Sequence, residues 1–350
     1  MSLPITYIRS SSFATHEMCP MKYFAEYVLG WTGETGKAAA QGTIVHKVME
    51  VLAHIKLAEQ QGKDYFIDDI AGKQTRDTLD IDQLLEVIYE HYTNDADHLI
   101  WGPAEFKKCK LWTTMALEFN KGQMNPLNQE IVIPEQHFDI EIKADWGKYT
   151  VIEEGIEVTK QLRLKGTIDL ITKVNDTTNE IIDYKSGIRK NWGTGEVKEY
   201  GDFYKDFQLR LYHYAHTVLF PNVQNVLITI YYIKDGGPFT IAFGRSDIPE
   251  TLDMIREKFE AIRDTETPQV NYGPPCKTFC HLGKQTFEGT NVRPIVAGSN
   301  CKLSYTGNNM CMCDQLKYSL EHRNTEIVID NMTKDGHNVG FYKAPGEIKG

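Results

Sequence analysis

Asp183 and Lys185 stand two positions apart in NEIIDYKSG, and Asp169 lies upstream in KGTIDLI. If NEIIDYKSG is a strand, Asp183 and Lys185 share one face while Ile182 and Tyr184 share the other. Chemistry can then occupy one face and packing the other. VNDTTNE, between the two segments, reads as a polar turn, so a hairpin would bring the two carboxylates together. Close carboxylates repel unless something compensates them. A divalent cation does so, and magnesium accepts carboxylates, a backbone carbonyl, waters and phosphate oxygens. Such an ion lowers the pKa of a bound water and stabilises charge on phosphorus, which is what phosphodiester hydrolysis requires. Lys185 would orient or activate the water, or stabilise developing charge. Gly187 would let the chain leave the strand close to a substrate backbone. Taken alone, the same residues also describe an exposed salt bridge on a β-hairpin.

The elements that must position these residues are legible in outline. SSSFATHE followed by MKYFAEYVLG predicts a capped amphipathic helix. AAAQGTIVHKVMEVLAHIKLAEQ predicts a second, with Ile44, Val48, Val51, Leu52 and Ile55 at helical spacing. His46 and Glu50, four apart on it, could face one site. Residues 58–130 read as a helical insertion, with IDQLLEVIYEHYTN and PAEFKKCKLWTTMALEFNKG its clearest pieces. From about residue 130 the chain turns β-branched and alternating, in EIVIPEQHFDIEI, KYTVIEEGIEV, QLRLKGTIDLITKV and NEIIDYKSG. A helix over DFYKDFQLRLYHYAHTVLF follows, then a VLITIYYI–GPFTIAFG hairpin around KDGG, then a helix over IPETLDMIREKFEAIRD. The expectation is an α/β (α+β) core at 130–245, with a central mixed sheet flanked by helices, and a cysteine-rich region at 270–320. All of it is read as one domain over 1–350.

GTID, IIDYKSG and FQLRLYHYA, in that order, resemble the PD-(D/E)XK nucleases of the RecB/AddB type, including the CRISPR-associated RecB-like iron–sulfur exonucleases. A Gly-x-x-x-His helix precedes the acidic strands in that family, and here it reads Gly42 to His46. A Gln-x-x-x-Tyr helix follows them, here Gln208 to Tyr212. The resemblance covers roughly residues 8–30, 40–55, 130–220 and the cysteine-rich tail. It implies a restriction-endonuclease-like core in which His46, Asp169, Asp183 and the Tyr184 carbonyl bind Mg²⁺ or Mn²⁺. It makes Lys185 the catalytic lysine. Gln208 and Tyr212 would touch DNA or brace the site. Glu135, in PEQHF, stands where the family often has a glutamate.

Seven cysteines are present, five of them between Cys276 and Cys313. An odd total argues against a disulfide framework, and the clustering suggests a metal or an iron–sulfur centre. The iron–sulfur branch of the same family takes one cysteine far upstream and three near the C-terminus. The resemblance therefore implies a [4Fe–4S] cluster drawn from Cys19, Cys276, Cys280, Cys301, Cys311 and Cys313. The family's downstream cysteines are compact, whereas Cys301 follows Cys280 at a distance, which leaves the fourth ligand open and keeps a zinc site as an alternative. Cys109, in a lysine-flanked helix, reads as an ordinary residue.

Composition bounds the function. The chain has 350 residues, a formal net charge of -10 and a pI near 5.6, which excludes a general polyanion binder. DNA contact would need a local basic groove and bound cations, and the clusters Lys107, Lys108, Lys110 and Lys185, Arg189, Lys190 are equally solvated faces. No run is apolar enough to span a membrane, and the N-terminus lacks a secretory layout. A cytoplasmic or otherwise intracellular location is expected, whether the chain is cellular or virus-encoded. No Gly-x-x-x-x-Gly-Lys-Ser/Thr loop occurs, so any helicase motor would be a separate chain. The reading that emerges is a metal-dependent exonuclease on single-stranded DNA or duplex ends, with recombination, repair or CRISPR-type proteins as partners. The alternative is a non-catalytic DNA-binding or adaptor subunit with the same fold.

Overall fold

A computed structural model describes residues 5–284, except 6, 30, 31, 34, 97, 192–194, 266, 274, 275 and 277–279, together with Cys313. In chain order its main elements are β1 (Tyr7–Ile8), α1 (Ser10–Met18), α2 (Pro20–Tyr23) and α3 (Lys37–Gln60). The hairpin β2 (Phe66–Asp68) and β3 (Gly72–Gln74) leads to α4 (Ile81–Asp95) and α5 (Pro103–Glu118). Next come β4 (Ile131–Glu141), β5 (Lys148–Glu153), β6 (Ile156–Gln161), β7 (Arg163–Asn175) and β8 (Thr178–Lys185). The chain continues through α6 (Tyr200–Tyr204), α7 (Phe207–Leu219), β9 (Asn225–Tyr232), β10 (Gly237–Gly244), α8 (Ile248–Arg263) and α9 (His281–Lys284).

The chain divides into two compact units. The larger comprises residues 35–138 and 166–252. In it β7 and β8 form an antiparallel hairpin, β8 runs parallel to β9, β9 pairs antiparallel with β10, and β4 adds to β7. The parallel step needs a crossover, which α6 and α7 supply. A mixed sheet flanked by helices is thus the architecture, as expected. Leu170, Ile182, Tyr184, Tyr231 and Ile233 from the sheet join Ile44, Val48, Leu52, Leu84, Ile88 and Trp112 of α3, α4 and α5 in one buried cluster. The Tyr231 hydroxyl, inside that layer, donates to the Ala116 carbonyl at 3.2 Å. At the far end of α3, Gln60 pairs through its side-chain amide with both backbone polar groups of Ile131, at 2.9 and 2.8 Å.

The opposite face of the sheet is covered by α7, which runs antiparallel to β8. Its His216 meets Asn179 at 3.0 Å near the start of the strand, and its Gln208 meets Asp183 near the end. The single helix expected over 202–220 is two, because Asp206 caps α7 by accepting from the backbone N–H groups of Gln208 and Leu209. Arg210, with no exposed surface, is stacked 4.0 Å over the Tyr204 ring and paired with Glu250 at 2.9 Å.

The other unit comprises residues 1–34, 139–165 and 253–350. Here Tyr7 and Ile8 pair in parallel with Arg163 and Leu164. The helix expected from the N-terminal segment is interrupted at Cys19, whose extended backbone separates α1 from α2, with Pro20 opening the second helix. KYTVIEEGIEV, read as one strand, is the hairpin β5–β6, turned by Glu154 and Gly155 at positive φ. Cys19, Cys276, Cys280 and Cys313 are all buried in this unit. Cys301 and Cys311, also candidates from the sequence, lie outside the described residues. Among the described residues no helix is long and apolar enough to cross a membrane.

Candidate active site

Strand β8 carries Asp183 to a buried position with 1% of its surface exposed, on the α7 face, while Ile182 and Tyr184 enter the core on the other. Asp169 comes from the partner strand β7, one residue from the Leu170–Ile182 pair. Its Oδ2 accepts the Tyr184 backbone N–H at 3.0 Å and faces His46 Nδ1 of α3 at 3.4 Å. Lys185 Nζ lies 2.7 Å from Asp183 Oδ2. Those groups, carried by α3, β7 and β8, meet within the larger unit.

The electrostatics are those of an anionic site short of positive charge. Burial, then the neighbouring Asp183, pushes the Asp169 carboxyl up to about 6, against the pull of His46 and Lys185. Asp183 Oδ2 is buried and faces Lys185 as an ion pair, yet no donor is aligned with it as a hydrogen bond. Burial alone would lower the Lys185 ammonium, but Asp183 and Asp169 outweigh it and hold the group above its ordinary range. Lys185 is therefore a fixed cation in this arrangement, suited to stabilising charge rather than to removing a proton.

Gln208 and Tyr212 act on Asp183. The Gln208 side-chain amide donates to the Tyr212 hydroxyl at 2.7 Å and approaches Asp183 Oδ1 at 3.4 Å, while the Tyr212 hydroxyl lies 3.4 Å from the same oxygen. Tyr212 is buried, and burial with the Asp183 charge beside it holds its hydroxyl protonated well above the usual range.

A cavity of about 600 Å³ opens beside these groups, lined in part by His46, Lys47, Glu50, Glu135, Lys185 and Ser186. Glu135 is one of its lining residues. Burial, then Asp169 and Glu50, pushes its carboxyl up to about 8. It sits at φ 44° within β4, a left-handed conformation uncommon for a side chain of this kind. Lys47 was not evident from the sequence. It bridges Glu50 at 2.8 Å and Asp68 at 2.9 Å, and the Asp68 partner is remote enough in the chain that no local pattern announces it.

A cation fits the donor set. It comprises two carboxylates whose proximity raises one of them, a buried carboxylate oxygen without an aligned donor, and an imidazole beside them. Among the described residues no three His, Cys, Asp or Glu side chains converge tightly enough to form a ready metal site.

The pattern that defines the PD-(D/E)XK nuclease superfamily matches residues 10–283. The chain belongs to that superfamily, and it is a nuclease. The nuclease is also similar to a crystal structure from Eubacterium rectale described as a "Putative exonuclease", at 12% identity and a TM-score of 0.45, over 84% of this chain and 94% of that one. No curated protein matches it. Members of the superfamily generally use divalent metals such as Mg²⁺ or Mn²⁺.

Proposed function

We propose that this nuclease is a deoxyribonuclease that hydrolyses phosphodiesters at single-stranded or duplex DNA ends with Mg²⁺ or Mn²⁺. The observation that carries the reading is the meeting of His46, Asp169, Asp183 and Lys185 beside one cavity. His46, Asp169, Asp183 and the Tyr184 carbonyl would hold the ion, which when bound supplies an activated water and a Lewis acid for the phosphate. Asp183 keeps its orientation because Gln208 and Tyr212 approach Oδ1 while Lys185 pairs with Oδ2. Asp169 keeps its orientation because the Tyr184 N–H holds Oδ2. Lys185 stays protonated and stabilises the negative charge that develops on the phosphate oxygens.

The test uses wild type and Lys185→Ala with Mn²⁺ on end-labelled single-stranded and duplex DNA, set against circular forms of each. Release of label by wild type alone, with circles spared, is the expected result. Cleavage of circles removes the end requirement, and equal degradation by the two proteins removes the assignment of Lys185.

The smaller unit is proposed to hold a [4Fe–4S] cluster on Cys19, Cys276, Cys280 and Cys313. Four buried thiols in one unit support it, and Cys280 lies near enough to Cys19 to add to the upward push of burial on its thiol, although no three of the four converge as a ready site. Thiolates in that environment need a cationic centre to stay ionised. The cluster would be structural, in a unit that joins both ends of the described chain. Anaerobic purification should yield a brown protein absorbing near ~400 nm. A colourless protein with one zinc per chain transfers the same cysteines to zinc.

A further inference from the structure

The Gly-x-x-x-His helix contains a glycine in the interior of α3, where glycine is a poor helix former. Gly42 is buried and faces Ser186. A Cβ built on it would stand 2.9 Å from the Ser186 hydroxyl oxygen and 3.7 Å from the Ser186 Cβ. The first distance is a clash and the second an ordinary contact, so the missing methyl group makes room for one oxygen atom. Ser186 is the residue after Lys185, and it lines the same cavity as His46 and Lys185. Thr43, on the same cavity wall, turns its hydroxyl back to the Ala39 carbonyl at 3.2 Å. The Ser186 hydroxyl has no such partner among the described residues. A donor for which a helix gives up its side chain, left unspent beside a fixed cation in a cavity, suits an anionic oxygen brought by a ligand.

We propose that the Ser186 hydroxyl, seated in the notch left by Gly42, is a substrate-contacting group that donates a hydrogen bond to a non-bridging oxygen of the scissile phosphate. The proposal rests on the nuclease reading above. The glycine of the Gly-x-x-x-His helix then acts through Ser186 as a positioning residue, because it sets where that hydroxyl stands relative to His46 one turn later.

The experiment compares wild type, Ser186→Ala, Gly42→Ala and the double variant, with Mn²⁺, on DNA carrying either a normal phosphate or one phosphorothioate isomer at the cleaved linkage. Hydrogen bonds to charged groups are worth about tenfold to a hundredfold in rate, so kcat/KM should fall by about that factor in Ser186→Ala with the melting temperature unchanged. Gly42→Ala should fall at least as far. The double variant should be no worse than Ser186→Ala, because the clashing oxygen is gone. Sulfur accepts hydrogen bonds poorly, so the isomer that places sulfur against Ser186 should slow wild type while leaving Ser186→Ala nearly indifferent. A Ser186→Ala enzyme that keeps pace with wild type, or that keeps the full sulfur penalty, overturns the contact. A double variant far worse than Ser186→Ala overturns the role given to Gly42. A wild type that cuts no DNA overturns the underlying reading, and this contact with it.

Discussion

The two faces of β8 are built from alternating residues of one strand and do opposite things. On the α3 side, Ile182 and Tyr184 are buried among aliphatic and aromatic groups. On the α7 side, Asn179 and Asp183 are equally buried, yet each is met by a polar side chain, His216 for the first and Gln208 with Tyr212 for the second. The first face contributes stability by removing apolar surface from water. The second spends some of it, because Asp169 and Asp183 are held close and partly desolvated. The strand thereby keeps a charged site from collapsing by anchoring it to a layer that tolerates little change.

Substitutions on either face should separate these contributions. The largest effect is expected for Asp183→Asn, which keeps an Oδ1 acceptor for Gln208 and Tyr212 but loses the charge. Turnover should fall on the order of a thousandfold or more, with the urea midpoint preserved, as steady-state kinetics and chemical denaturation together will show. Ile182→Ala should do the reverse. It leaves a cavity in the core layer and should cost about 3 kcal/mol in urea unfolding, while activity per folded molecule stays near wild type. Activity that falls as steeply as stability would mean the faces are not independent.

Acid separates groups on the α7 side by sign. Burial pushes His213 and His216 of α7 down to about 4 from an ordinary 6.5. The unfolded chain takes up protons at these positions first. Their contribution is therefore full above about 6.5 and is lost as pH falls from there towards about 4. Asp169 has the opposite sign: its folded value of about 6 exceeds its ordinary 3.8, so its ionisation costs the fold, and that cost is relieved as pH falls through about 6. Melting curves of Asp169→Asn and wild type should draw together as pH falls below about 6 and meet only below about 3.8, the variant being the more stable at pH 7.5. The smallest effect is thermal. Mn²⁺ should raise the wild-type midpoint at pH 7.5 by several degrees, about 4 °C for each 1 kcal/mol in a domain of ordinary size, and should leave Asp169→Asn unmoved. A variant that is no more stable without metal would show that the carboxylates do not strain the fold.

Much of this was legible in the sequence because it rests on period and order. Alternation in NEIIDYKSG separates Asp183 from Ile182, and the short polar turn predicts that Asp169 meets it. Four-residue spacing puts Gln208 and Tyr212 on one helical face. What was not legible depends on contacts between distant segments. Lys47 and Asp68 meet only because β2 packs beside α3, and Gly42 and Ser186 meet only in the folded unit. The positive φ of Glu135 has no signature in PEQHF, since the residue is not glycine. The break before α7 was readable in principle: Asp206 two residues ahead of Gln208 is an N-cap signal, masked by the continuous helical pattern on both sides.

The amide of Gln60 imitates an adjacent strand for Ile131, giving and receiving one bond as a paired backbone would. Its consequence concerns the stretch between them. The stretch from residue 61 to residue 130 departs and returns at points joined by this pair, while its Leu84, Ile88 and Trp112 pack back into the core. Length changes confined to its exposed turns can be absorbed there, whereas α4, α5 and Asp68 are tied to α3 and the cavity wall through the shared core and Lys47. Evolution, or an engineer, can vary those turns, provided α4 and α5 still cover the apolar side of α3 and Lys47 keeps its Asp68 partner.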